Sequence, residues 1–154
     1  MRDVISHHER AVTTASNQHQ QTSSGRSLFG DVAFLFRAYM MLIHFERYLK
    51  KDEFGKLRTD VSECVREQRA LRPHHLERIV RAVDLACIWY WKEVLCLQRS
   101  AALACLLKKS GEPAQLVLGV QQLPFKAHAW VEVEGRVVSD KPYMRDLYTV
   151  LDSF

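Results

Sequence analysis

The sequence predicts an α+β fold, with a helical N-terminal half packed on a small antiparallel sheet. Two observations carry this. Between Gly30 and Lys109 apolar residues recur every three or four positions, the period of an amphipathic helix. Beyond Pro113 the segments become short, β-branched and alternating, broken by Gly135 and by Pro124. With 154 residues and 47% hydrophobic content, the chain can bury one substantial core.

Taken in order, residues 1–27 are rich in Gln, Ser, Thr, Asn and His and poor in large apolar groups, which predicts a flexible polar tail ending at most in a short helical start. Residues 28–95 are expected to form a helical region and residues 96–154 a second region bearing the sheet, with 28–154 as one compact domain. From Gly30 the run Val32, Ala33, Phe34, Leu35, Phe36 and then Ala38 to Ile43 reads as a long core helix. Arg37, His44, Glu46 and Arg47 interrupt it before the eighteen or so uncharged residues that a membrane span needs, so membrane association is not expected. Residues 56–71 place Leu57, Val61, Cys64, Val65 and Leu71 on one helical face. Pro73 opens a further helix, with Leu76, Ile79, Val80, Val83 and Cys87 as its stripe. The aromatics Trp89, Tyr90 and Trp91 follow. They could wall a cleft, but core packing is the favoured reading.

Cys96 then opens a helix whose apolar positions are Leu97, Ala101, Leu103, Ala104 and Leu107. Lys108 and Lys109 suit its last turn, Gly111 caps it, and Pro113 stops it. The sulfur is thereby placed where unpaired backbone N–H groups and the positive end of the helix dipole favour an anion. A strand over Gln115–Val120, a loop over Gln121–Lys126 and a hairpin over Ala127–Val133 and Arg136–Asp140 complete the sheet, with Tyr148–Leu151 adding to it or covering its edge. A three-residue loop Val133-Glu134-Gly135, with Gly135 left-handed, pairs Glu132 with Arg136, Trp130 with Val138 and His128 with Asp140. A two-residue loop would shift the register by one and put Asp140 on the opposite face from His128. Cys96, His128 and Asp140 are thus the candidate nucleophile, base and orienter of the base.

These residues carry a resemblance. The order Cys, His on a strand and Asp on the next is that of the transglutaminase-like, papain-related cysteine enzymes. The wording Cys-Leu-x-x-Ser-x-Ala-Leu from Cys96, the strand Gly111 to Val120, the run Pro124-Phe125-x-Ala127-His128-Ala129-Trp130-Val131-Glu132-Val133 and the closing Tyr148-Thr149-Val150-Leu151 resemble the lasso peptide leader peptidases. The likeness covers roughly the last sixty residues and is weak before them. It implies a papain/transglutaminase-like fold and a cysteine endopeptidase, with the family's catalytic residues falling on Cys96, His128 and Asp140. It also implies the substrate, the leader–core junction of a ribosomally made lasso precursor, commonly after a threonine. A separate leader-binding protein would present the precursor, and a lasso cyclase would act on the freed amine.

The rest of the composition narrows the alternatives. Cys64, Cys87, Cys96 and Cys105 form no Cys-x-x-Cys pair, and no signal peptide precedes them, so free thiols in a reducing, cytoplasmic compartment are expected, with Cys64, Cys87 and Cys105 as core residues. The pairs His7-His8 and His74-His75 lack metal-site spacing, and no metal or cofactor is expected. The net charge of +4 is spread along the chain, with no basic run interleaved with aromatics, which gives nucleic-acid binding little support. Two other readings share the fold: a transglutaminase-like acyltransferase using an amine in place of water, and a non-catalytic peptide-binding module.

Overall fold

The computed structural model describes the backbone of residues 9–64 and 75–154, and the side chains of residues 30–64 and 75–154. The element order is α1 (Glu9–Lys50), α2 (Phe54–Glu63), α3 (His75–Ile88), α4 (Cys96–Lys109), β1 (Ala114–Gln121), β2 (Lys126–Val133), β3 (Arg136–Val137), α5 (Met144–Leu147) and β4 (Thr149–Ser153). The described residues fall into two compact units, divided between Ala33 and Phe34. Helix α1 takes in residues 9–27, the stretch predicted as a polar tail. Residues 65–74, with the predicted helical positions Val65 and Leu71 and the helix start at Pro73, lie outside the described residues.

Within the larger unit the α+β architecture holds. Helix α4 is its centre: every residue from Ser100 to Leu106 is buried, and Leu107 is too. Its alanines let neighbours approach closely, and its leucines fill the space between layers. On one side it meets α1 through Ala38, Leu42 and Phe45, spaced i, i+4, i+7 on a single face, together with Leu57 and Val61 of α2 and Ile79, Val83 and Ala86 of α3. On the other side it meets Leu116 of β1 and Val131 and Val133 of β2. Each fully buried Leu of this helix contributes about 1.5–3 kcal/mol relative to leaving it exposed.

The helix ends as its sequence predicts. Gly111 adopts φ 94°, its N–H donates to the Lys108 carbonyl, and the Glu112 N–H donates to the Leu107 carbonyl at 3.0 Å each. This is the paired bonding of a Schellman cap, which satisfies carbonyls the helix would otherwise leave open.

The sheet has four strands in the order β3-β2-β1-β4, all antiparallel. The closing segment joins the sheet, with a bulge that leaves Leu151 of β4 unpaired where β1 passes from Leu118 to Gly119, and reciprocal bonds between Leu116 and Phe154 beyond it. Arg58 of α2 ties down this edge strand through Asp152, at 3.0 Å. On the face of the sheet that carries Trp130, that residue, Val117 and Met144 make a second, smaller cluster with Val137 and Tyr148.

Two expectations are overturned here. Cys64 and Cys105 are joined by a disulfide that links the end of α2 to the middle of α4 across 41 residues, so these two are not free thiols. Both still pack in the core, as expected. Spacing along the chain cannot reveal a pair that meets only when two helices pack, and the bond removes the free-thiol argument for a reducing compartment. Of the three aromatics before α4 only Tyr90 is buried, its hydroxyl donating to Glu46. Trp89 and Trp91 are exposed (76% and 60%), so core packing is not their role. No helix among the described residues is long and apolar enough to cross a membrane.

Candidate active site

Cys96 is the first residue of α4 and is exposed. Leu95 before it is extended (φ −70°, ψ 149°) and makes no side-chain cap. Helices prefer Ser, Thr, Asp or Asn at this position because the side chain satisfies first-turn N–H groups. With leucine there those donors receive nothing from the capping residue, and an anion arriving beside Cys96 can take them. Among the described residues the other free cysteine is Cys87, where burial pushes the thiol up, against a smaller opposing effect of Arg99.

The start of α4 is held from three sides. Gln98 Nε2 donates to the Leu42 carbonyl of α1 at 2.9 Å, and Arg99 Nη2 to Asp84 Oδ1 of α3 at 2.7 Å. Ser100 Oγ donates to the Ala129 carbonyl of β2 at 2.9 Å. The last contact fixes where the helix start lies. The Val131 carbonyl accepts from the Val138 N–H, and the Val131 N–H donates to Ser139 Oγ, so both groups face the β3 side. Ala129, two residues earlier, faces the same side. There β3 has already ended at Val137, and Ser100 takes the carbonyl that a longer β3 would have bonded. One turn after Cys96, α4 is therefore bonded to β2 at the residue following His128.

His128 and Asp140 meet, though not by the predicted route. The hairpin pairs Val133 with Arg136 and Glu132 with Val137, a two-residue loop in which Glu134 (φ 51°) and Gly135 (φ 75°) are both left-handed. The predicted pairs Glu132–Arg136, Trp130–Val138 and His128–Asp140 do not form as ladder partners. Continued outward, the observed register would set Asp140 on the far face, as the shift argument requires. It does not continue. The Ser139 hydroxyl replaces a backbone acceptor at Val131, the chain bends through Val138–Asp140, and Asp140 Oδ2 reaches His128 Nε2 at 2.7 Å.

The electrostatics of this pair fix the imidazole's tautomer. Partial burial works against ionisation of Asp140, but the His128 hydrogen bond, the Lys141 N–H at 2.8 Å and the charges of His128 and Arg99 outweigh it and hold the carboxyl below the usual range. An ionised carboxylate only accepts hydrogen bonds, so Nε2 carries the proton and Nδ1 of the neutral ring is left as an acceptor. That is the nitrogen a general base needs. The ring lies against Tyr148 (centroids 5.5 Å) and nearly parallel to Trp130 (6.3 Å, 20°).

Sequence reasoning missed Ser100, Ser139 and Arg99. Ser100 had a signal, standing in the motif Cys-Leu-x-x-Ser-x-Ala-Leu one turn after Cys96, but no role was assigned to it. Ser139 and Arg99 had none, because their roles depend on where β3 stops and on how α4 meets Asp140.

The family model of the Transglutaminase-like superfamily (Transglut_core3) matches residues 39–153. The chain belongs to this family. It is also similar to the Microcin J25-processing protein McjB of Escherichia coli, 46% identical over 56 residues. That stretch is 36% of this chain and 27% of the relative's length. No solved structure matches the chain significantly.

Proposed function

We propose that this transglutaminase-like protein is a cysteine endopeptidase that removes the leader from a ribosomally synthesised lasso peptide precursor. The observation that carries the chemistry is the His128–Asp140 hydrogen bond, beside the point where the first turns of α4 are bonded to β2. The similarity to a microcin J25-processing protein supports the substrate class.

Cys96 gives its proton to His128 Nδ1 and its sulfur attacks the scissile carbonyl. The oxyanion is met by the Cys96 N–H and the neighbouring first-turn N–H groups that Leu95 leaves uncapped. His128 passes its proton to the leaving amine, which frees the core peptide and leaves the leader as a thioester on Cys96. Water, deprotonated by the same nitrogen, adds to the thioester; the C–S bond then breaks, the leader is released as a free carboxylate, and the proton on Nδ1 returns to the Cys96 sulfur. Asp140 keeps the proton on Nε2 and stabilises the cationic ring throughout. A separate leader-binding protein presents the precursor, and a lasso cyclase consumes the freed amine.

The test is mass spectrometry of the purified chain with its precursor, with and without the leader-binding protein, under conditions that reduce Cys96. A leader ending in a free carboxylate and a core beginning with a free amine are expected, with neither from Cys96→Ala. Cleavage by Cys96→Ala would remove Cys96 from the mechanism. A leader joined to an added amine, in place of hydrolysis, would make the protein an acyltransferase.

A further inference from the structure

Asp140 holds the His128 ring at a single point, and one hydrogen bond does not fix a ring plane. Rotation about the Nε2···Oδ2 line would swing Nδ1 away from its target while keeping the bond. The structure holds the plane from another direction. His128, Trp130 and Glu132 alternate along β2 and so share one face. The indole of Trp130 lies 20° from parallel to the imidazole, and Tyr148 flanks both rings.

The indole is itself anchored. Its Nε1–H donates to Glu132 Oε1 at 2.9 Å, and Arg145 of α5 clamps the same carboxylate through Nε at 2.8 Å and Nη2 at 2.7 Å. Glu132 is 1% exposed, and Arg145 holds its carboxyl below the usual range, against burial and with help from Trp130. Opposite His128 in the β1–β2 register stands Gly119, which leaves room for this arrangement. A Cβ at Gly119 would lie 2.7 Å from the Trp130 Cη2 and 2.9 Å from the Tyr148 Cβ. Only the Glu132 end of this pair is buried, the Arg145 side chain being 54% exposed. A core does not need a buried carboxylate for stability, since an apolar residue of similar volume serves as well or better. What such a residue cannot do is set the rotation of an indole through its N–H.

We infer that Trp130, oriented by the Glu132–Arg145 pair, is a positioning residue that fixes the plane of the His128 imidazole. This rests on the reading of His128 as the general base, and the test separates the two ideas. Two double variants are compared. Glu132→Gln with Arg145→Met is uncharged but keeps an amide oxygen to accept the indole N–H, whereas Glu132→Leu with Arg145→Met keeps the volume and loses the acceptor.

Precursor cleavage, thermal melting and the side-chain nitrogen NMR signals of His128 are read on both. The Gln variant is expected to keep wild-type His128 signals and kcat within about threefold, while the Leu variant shows shifted or broadened signals and a kcat lower on the order of tenfold or more, with KM little changed. Should the Leu variant fail to fold, Trp130→Phe removes the N–H and takes its place. A purely structural role would lower the melting temperature of one variant and leave the His128 signals and kcat of both alike, which overturns the inference. Signals that separate the two variants in a protein that cleaves nothing would uphold the positioning and sink the peptidase reading.

Discussion

Among the described residues, two histidine–aspartate pairs look alike in isolation. In the sheet, His128 Nε2 meets Asp140 Oδ2 at 2.7 Å; between α1 and α2, His44 Nε2 meets Asp60 Oδ2 at 2.5 Å. Both imidazoles lie against aromatic rings, Trp130 and Tyr148 in one case and Phe45 and Tyr48 in the other. Their settings differ. The side chains of the first pair are 24% and 25% exposed, and the pair lies beside the strand edge to which the start of α4 is bonded. Those of the second are 42% and 36% exposed and link the sides of two helices. A base and its orienter are common; what distinguishes the first pair is the start of α4, with Cys96 as its first residue, bonded to the residue that follows His128. On the proposed function catalysis belongs to the first pair, and the second contributes at most a little stability.

The sharpest way to break that assignment is to remove each histidine. His128→Ala is expected to lower kcat/KM for precursor cleavage by about 10³-fold or more, since proton transfer alone supplies roughly 10²–10⁴ and nucleophile activation adds to it. His44→Ala is expected to leave kcat/KM within about threefold. Equal losses in the two variants, measured by initial rates of product formation, would erase the distinction. Asp140→Asn comes next, with a fall of about 10²–10⁴-fold, because an amide can present an N–H to Nε2 and favour the wrong tautomer. Asp60→Asn is the matched control.

How much of this was legible in the sequence follows the same division. Helix α4 was readable end to end, because Ala, Leu, two terminal lysines and a capping glycine all point the same way. The hairpin was readable in place but not in register. Glu134 is a poor candidate for a left-handed residue, so a loop requiring only Gly135 to be left-handed was the better guess from local preference; the structure puts both there. The resulting one-residue shift would have parted His128 from Asp140 had β3 continued. That it stops, with a serine hydroxyl standing in for a backbone acceptor, is a tertiary event with no local mark. The second pair was invisible for the same kind of reason, His44 and Asp60 being brought together only by helix packing.

The disulfide adds a prediction of intermediate size that bears on both pairs, since α2 carries Asp60 and α4 carries Cys96. Closing a loop across 41 residues stabilises the fold by about 2–4 kcal/mol. Reduction should therefore lower the midpoint of urea unfolding, while Cys64→Ser with Cys105→Ser should show the lower midpoint without reductant and no further change with it. An unchanged midpoint on reduction of the wild type would mean that the fold gains nothing from the bond.

A titration separates the Asp140 carboxylate from the other acids. Its folded-state pKa is lowered, the His128 and Lys141 hydrogen bonds outweighing partial burial. A lowered carboxylate pKa contributes stability that is fully present above the unfolded value, near 4, and is lost as pH falls through the folded value. The stability lost by Asp140→Asn should accordingly be constant from about pH 5 to 7 and shrink below about pH 4. Urea unfolding of wild type and variant at pH 6, 4 and 3 measures it. A difference that stayed constant to pH 3 would mean that the carboxylate gains nothing from its partners.

The smallest expected effect is the most discriminating for the comparison itself. An ion pair as exposed as His44–Asp60 contributes about 0–1 kcal/mol, because water screens it and two side chains lose freedom to form it. Asp60 also lies near Tyr48, whose hydroxyl is pushed up first by burial and then by the Asp60 charge. Asp60→Asn keeps an oxygen for His44 while removing the charge, so the loss should stay under about 1 kcal/mol in urea unfolding at pH 6. Asp60→Ala removes the acceptor of the His44 bond as well and should cost more, by the worth of one hydrogen bond, about 0.5–1.5 kcal/mol. Neither substitution should change kcat or the His128 signals. A change in either would mean that the two pairs communicate through α2 and α4, and that the helical half takes part in the chemistry beyond supporting the core.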